Sequence, residues 1–341
     1  MPSIARNAPI GEHLIVRSQL TGQPLTYFVP YPITQLAAQL KPSSAGTSVP
    51  SPMALWLLIP FLCRRNCRVP GFIEPAMIRA HAALMAGQLV LQSIEDLAGL
   101  AAGLDPKVRG LRQQICYAGG KTPSAAQRIY APASDLPTLM DALLEFLQRN
   151  DLTQWDALEV AVLTEEYAVR THPFVDGNGR WSRVLAVYAG ARSGDRWSGA
   201  AAAIFSKAAW ELARPLLESA SNRGLAPYFE TVRLFSDTLY AAAVKRGLVA
   251  DIERLGFILD TAITTPASRH RLLAEFLARG TLHADVVQRG LACSQKKAAG
   301  VIDGIATSGI TWVHRSGPTL SCAALHAAMN ERIEQAINIT Q

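Results

Sequence analysis

Charge is scarce in this chain. Asp, Glu, Lys and Arg make up 18% of 341 residues, whereas hydrophobic residues make up 49%. That balance excludes a disordered chain and supplies a sizeable core. Cysteine is scarce too: there are five, an odd number, scattered except for Cys63 and Cys67. No disulfide framework is visible, and a reducing interior fits. With no second Cys/His pair near Cys63 and Cys67, a zinc site has little support. Long apolar runs are lacking. The longest, 53–63 (MALWLLIPFLC), is too short to span a bilayer and contains Pro60. The N-terminus carries Arg6, Glu12 and His13 in place of an apolar leader. A cytoplasmic location without membrane association is therefore expected.

The charge that is present is unevenly spread. The chain is net +6. Residues 1–76 carry +4 and 267–327 carry +4, while 77–266 are near neutral at −1. Basic flanks can meet nucleic acid, an acidic protein surface or anionic lipid, and equally can be solvated surface.

The length suggests about two or three domains of ~150 residues. Residues 27–32 (YFVPYP) read as extended, because each Pro pushes its predecessor out of the helical region. Residues 41–52 (KPSSAGTSVPSP) read as a linker or long loop. From Pro75 helical spacing dominates, through Met77, Ala80, Leu84, Leu89 and Leu91. Residues 111–131 break that pattern with two short stretches around a Gly-Gly-Lys-Thr-Pro turn, predicting a hairpin. Further helices are predicted from a Ser134 or Asp135 cap, over 156–169, after 180, and over 205–220 and 227–246. Residues 268–322 read as a separate unit. It has helices over 271–278, 284–289 and 294–307, then strands 310–315 and 319–321, the outline of a winged helix-turn-helix. The fold class is mostly α.

The informative stretch is 171–183, Thr-His-Pro-Phe-Val-Asp-Gly-Asn-Gly-Arg-Trp-Ser-Arg. Gly177 and Gly179 let successive N–H groups point into one concavity, and a helix starts directly afterwards. Together they form an anion cradle suited to phosphates. Arg180 and Arg183 lie three apart on one helix face and can reach that anion. Asp176 at the mouth suits Mg²⁺ bridging phosphate oxygens. His172 can act as a base near neutral pH. Pro173 and Phe174 pack the loop. Base, metal carboxylate, phosphate nest and two arginines make a kit for phosphoryl or nucleotidyl transfer.

The segment resembles the HxFx[DE]GNGRxxR signature of the Fic family, with every signature position filled. The likeness covers about 75–265: residues 110–131 resemble the family's flap hairpin, and 136–140 and 156–170 resemble what precedes its motif. The N-terminal 27–32 stretch and the C-terminal unit resemble longer bacterial members. The resemblance implies a Fic-type helical bundle with a flap. It also implies transfer of AMP from Mg·ATP to a Ser, Thr or Tyr hydroxyl of a target protein, or of the chain itself. By that resemblance His172 is the base and Asp176 carries Mg²⁺. Phe174, Gly177, Asn178 and Gly179 line the nucleotide site, and Arg180 and Arg183 hold the β- and γ-phosphates. The flap would pair with an extended target segment. Members of this length often carry an inhibitory helix, [ST]xxxE[GN]. The nearest match here centres on Glu95, with Leu91 and Asp96 departing from the pattern, and Glu95 is expected to reach Arg183. Position seven before the motif histidine is Glu165, often His in relatives.

The expected organisation is an extension over 1–76, a catalytic domain over 77–266, a winged-helix-like domain over 267–327 and a helical tail over 328–341. Lys296, Lys297 and Arg315 make the third unit a candidate DNA contact. Protein contact, scaffolding or homodimerisation is the alternative. Two other functions stand beside AMP transfer: a DNA-associated regulator whose core senses nucleotide, and a related enzyme that removes AMP or transfers another phosphate-containing group.

Overall fold

The computed structural model describes residues 9–17, 22, 24–42, 75–85, 87–193, 220, 223–234, 247–262, 266–325, 327 and 331. The apolar run 53–63, Cys63 and Cys67 lie outside the described residues, as do the 205–220 helix apart from residue 220, the 328–341 tail apart from residue 331, and parts of the 41–52 linker and the 227–246 helix. The chain forms two compact units: 1–47 with 90–206 and 214–233, and 48–89 with 207–213 and 234–341. No helix among the described residues is long and apolar enough to cross a membrane.

The first unit opens with a hairpin, β1 (Gly11–Arg17) and β2 (Pro24–Pro30), paired from Gly11↔Pro30 to Arg17↔Pro24. Leu25 and Tyr27 on β2 are buried, at the alternate spacing of a half-buried strand. The flap strands are short, β3 (Tyr117–Ala118) and β4 (Arg128–Ile129). They join the same sheet, because β4 lies parallel to β2 through Tyr27↔Ile129; the order is β1-β2-β4-β3. Leu25, Tyr27 and Ile129 form the apolar cluster under this joint. The extended 27–32 segment is thus part of the flap's own sheet.

Four helices frame the motif. Ile94–Leu104 (α3, after α1, Ile33–Leu36, and α2, Pro75–Met85, of the second unit) starts from a reciprocal cap. Ser93 Oγ accepts the Asp96 N–H at 3.1 Å, and the Asp96 carboxylate accepts the Ser93 N–H at 3.0 Å. Leu136–Gln148 (α4) has Pro137 in its first turn, where no donor is lost. It buries Leu136, Leu139, Met140, Leu143, Phe146 and Leu147, a stripe at helical spacing. Ala157–Thr171 (α5) starts at Asp156, whose carboxylate accepts the Glu159 N–H at 3.0 Å. Asn178–Arg192 (α6) packs on α5. Both are buried on nearly every face, as central helices must be. Polar tips pin the layers. Tyr167 donates to Leu139 O at 3.0 Å, and Trp181 Nε1 donates to Leu97 O at 3.0 Å.

The second unit contains α2, Leu248–Ala262 (α7), Pro266–Arg279 (α8), Thr281–His283 (β5), Ala284–Leu291 (α9), Gln295–Ala306 (α10), His314–Ser316 (β6) and Thr319–Ser321 (β7). The strands form an antiparallel sheet in the order β5-β7-β6. Leu272, Phe276, Val287, Val301, Ile302 and Leu320 are buried in its core.

Several expectations need correction. The 77–266 segment does not pack as one body, since α2 and α7 belong with the C-terminal helices. Helix α2 stops at Met85, before a left-handed Gly87, so Leu89 and Leu91 lie beyond it. Helix α9 ends at a left-handed Ala292 rather than at Gly290. Strand β6 starts at His314, not residue 310, and β5 was not foreseen at all.

Candidate active site

The turn joining α5 to α6 is six residues long, 172–177. His172 closes α5 in the left-handed conformation, φ 49° and ψ 56°, with its N–H on Ala168 O at 3.2 Å. A residue with a Cβ pays about 1–2 kcal/mol to sit there. Its Nδ1 lies 3.2 Å from Val169 O. A carbonyl only accepts, so Nδ1 carries the proton and Nε2 keeps its lone pair. The ring stacks on Tyr130, centroids 3.9 Å apart and planes 14° from parallel. Burial is the main cause that pushes the imidazole pKa down to about 4. Arg112 and Arg128 push the same way, while the Val169 carbonyl and Asp176 oppose. The ring is therefore neutral across the physiological range.

The rest of the turn is fastened by its own polar groups. Asn178 Oδ1 accepts the Phe174 N–H at 3.0 Å, and Nδ2 donates to Phe174 O at 2.8 Å. The Phe174 ring is fully buried, edge-on to Trp181 with centroids 5.0 Å apart. The side chains of Phe174 and Asn178, expected to line the nucleotide site, thus shape the loop instead. Asp176 Oδ1 accepts the Gly177 N–H at 2.7 Å. That bond, followed by the Lys107 ammonium, holds the Asp176 carboxyl below its usual pKa. Gly177 has φ 77°, and a Cβ there would fall 3.0 Å from Asp105 Cβ. Only glycine meets both conditions. Gly177 is also the N-cap of α6 and has no side chain to cap with. The N–H groups of Asn178 and Gly179 have no acceptor among the described residues. This is the open, partly positive helix end that the glycine pattern predicted.

The two arginines do not share one task. Arg183 is buried, and its Nη1 comes within 3.7 Å of where a Gly179 side chain would begin, so it faces the open end. Arg180 forms an ion pair with buried Asp105, donates to Leu104 O at 3.3 Å and lies 4.0 Å from Asp176. Lys107 Nζ stands 3.3 Å from Asp176 Oδ2. Glu95 is exposed in the first turn of α3 and forms no ion pair with Arg183. A carboxylate does meet a motif arginine, but it is Asp105, on Arg180. Glu165, in α5, is buried.

Sequence reasoning missed Asp105, Lys107, Arg112 and Tyr130. Asp105 is 75 residues from its arginine, and no local pattern marks such a contact. Arg112 and Tyr130 fall inside the recognised hairpin segment, where an aromatic at a strand end was the available signal for Tyr130, whereas the burial of Arg112 has no local signature.

The residue that would hold Mg²⁺ is Asp176. Among the described residues no group of three or more His, Cys, Asp or Glu could hold an ion, and one hard carboxylate is the usual protein share when Mg²⁺ is held with phosphates and water. Its half-exposed carboxylate at the open helix end fits that role, with Lys107, now 3.3 Å from Oδ2, the group an ion would displace. In the second unit Lys296 and Lys297 are exposed at the start of α10, whereas Arg315 is committed to Asp303 and Gly317 O.

Residues 74–189 match the family model described as the Fic/DOC family. No curated protein matches the chain.

Proposed function

Residues 74–189 belong to the Fic/DOC family, and from that premise we propose that this protein transfers AMP from ATP to a hydroxyl of a target protein. The observation that carries the reading is the pairing, within one turn, of an uncapped helix end and an imidazole with Nε2 free. The open N–H groups of Asn178 and Gly179, with Arg183 behind them, receive the phosphates. Arg180 joins them once it leaves Asp105. Nε2 of His172 takes the proton as the target oxygen attacks the α-phosphorus. The bond from that phosphorus to the bridging oxygen breaks, and pyrophosphate leaves. Asp176 would hold Mg²⁺, which neutralises charge on the phosphate oxygens. Strand β3 forms one edge of the flap sheet, and an extended target segment pairing there would bring its hydroxyl to the base.

The test uses ATP labelled separately at the α- and γ-phosphorus, with Mg²⁺ and a host lysate. Label retained on protein from the α position alone supports nucleotidyl transfer. Label from γ alone overturns it in favour of kinase-like chemistry. A band at the chain's own mass in the first case would mean self-modification.

A second reading takes the C-terminal unit, with its helix-strand-helix-helix-strand-strand order, as a winged-helix module. Lys296 and Lys297 at the start of α10 make it a candidate DNA contact. Loss of DNA retention at low salt on replacing both with Ala would support this, and no binding by the intact protein would end it.

A further inference from the structure

Arg112 is almost wholly buried, 2% exposed, yet no carboxylate pairs with it among the described residues. Its bonds all run to carbonyl oxygens. The backbone N–H reaches Pro173 O at 2.9 Å and Nε reaches His172 O at 2.7 Å, both in the motif turn. Nη1 reaches Gln114 O at 2.9 Å and Nη2 reaches Ala131 O at 2.6 Å, at the two stems of the flap. A buried guanidinium is costly and is kept only where its fork is used fully. Here the fork rivets the flap to the turn that carries His172.

Ala131 follows Tyr130, so the rivet fixes which flap side chain lies over the imidazole. Tyr130 is itself buried, and its N–H is held by Cys116 O at 3.0 Å. The Nδ1–H···O bond from His172 to Val169 is 3.2 Å, at the long end for such bonds and weak alone. The stacked phenol closes one face of the ring, excludes water from it and denies the ring a flip. The charged groups facing the imidazole are Arg112, Arg128 and Asp176; those facing Tyr130 are Arg112, Arg128 and Arg170, with the Cys116 thiol beside it.

We propose that Tyr130, kept in register by Arg112, is a positioning residue for the His172 base, holding the imidazole in the Nδ1–H tautomer with Nε2 turned to the substrate. The inference rests on the transfer reading above, because only there does Nε2 accept a proton. It adds that the flap, besides docking a target, orients the base, so displacement of the flap would be felt at the imidazole.

The experiment follows the ring nitrogens of ¹⁵N-histidine-labelled full-length protein, with His172→Ala assigning the signal, alongside initial rates of α-label transfer. In the native protein the His172 ring is expected as the Nδ1–H tautomer, neutral down to about pH 4, with ring protons shifted by the aromatic face. Tyr130→Leu keeps apolar bulk but removes that face. It should mix the tautomers and lower kcat by about tenfold or more while leaving the KM for ATP within about twofold. Tyr130→Phe should preserve both readouts. Arg112→Lys keeps the charge but cannot span three carbonyls, and should move the ring signals as Tyr130→Leu does. A native ring that is an even mixture of tautomers, or a Tyr130→Leu protein with native ring signals and native kcat, would overturn the proposal. The native measurement decides even where a variant fails to fold. If the native protein transfers no label while the ring behaves as expected, the transfer reading fails and the positioning stands.

Discussion

Among the described residues two turns join helix to helix through a left-handed residue that is not glycine. One runs from α5 to α6, the other from α9 to α10. In each, the last residue of the first helix gives way to a positive φ, 49° at His172 and 47° at Ala292. The second helix then begins differently. Helix α10 starts at Ser294, whose Oγ accepts the Lys297 N–H at 3.2 Å. Helix α6 starts at Gly177, which has nothing to offer. The capped end spends its donors on stability. The uncapped end leaves them open, and its left-handed residue is an imidazole rather than a methyl. The difference between a plain joint and the proposed active site is here one missing cap and one side chain.

That contrast can be broken from either side. Replacing His172 with Ala makes the first turn like the second at its left-handed position. Transfer should fall by about 10²–10⁴-fold, with ATP binding kept, as measured by α-label transfer and calorimetry. Gly177→Ala strikes the uncapped end itself: a Cβ there would fall 3.0 Å from Asp105 Cβ at φ 77°, so the turn must shift and ATP affinity should fall about tenfold on calorimetry. The pH profile sharpens the comparison further. His172 is lowered to about 4 and Asp176 is also lowered, so both are in their working forms near neutrality. The rate should stay level from pH 8 to about 5 and decline only as the ring protonates near 4; an inflection at the ordinary histidine value of about 6.5 would contradict this. The smallest effect belongs to the second turn. Ser294→Ala should cost about 1 kcal/mol of stability in the C-terminal unit on denaturant melting and leave transfer untouched.

What the sequence revealed and what it hid follow from distance along the chain. The motif was legible because its base, carboxylate, glycines and arginines all fall within 172–183, and a helix end is built from neighbours. The buried stripe of α4 was legible for the same reason. Asp105 was not, since it meets Arg180 across 75 residues and any exposed-looking aspartate after a helix reads alike. Glu95 shows the converse error. A pattern nominated it, but the capping pair of Ser93 and Asp96 places it in the first turn of α3, facing water. Strand β5 spans three residues, too few for alternation to register. The parallel pairing of β2 with β4 has no local signature either, as it joins segments about a hundred residues apart through Tyr27 and Ile129.

That last pairing bears on how the protein can be handled. A shortened version beginning at residue 74, where the family match starts, would discard β1 and β2. Ile129 would lose the backbone beside it, Leu25 and Tyr27 would no longer roof the flap, and two-residue strands do not stand alone. Such a fragment would retain every motif residue and still lack the strand that holds its flap, a slack thumb over an intact palm. The opening segment of the polypeptide is a splint for the part that grips.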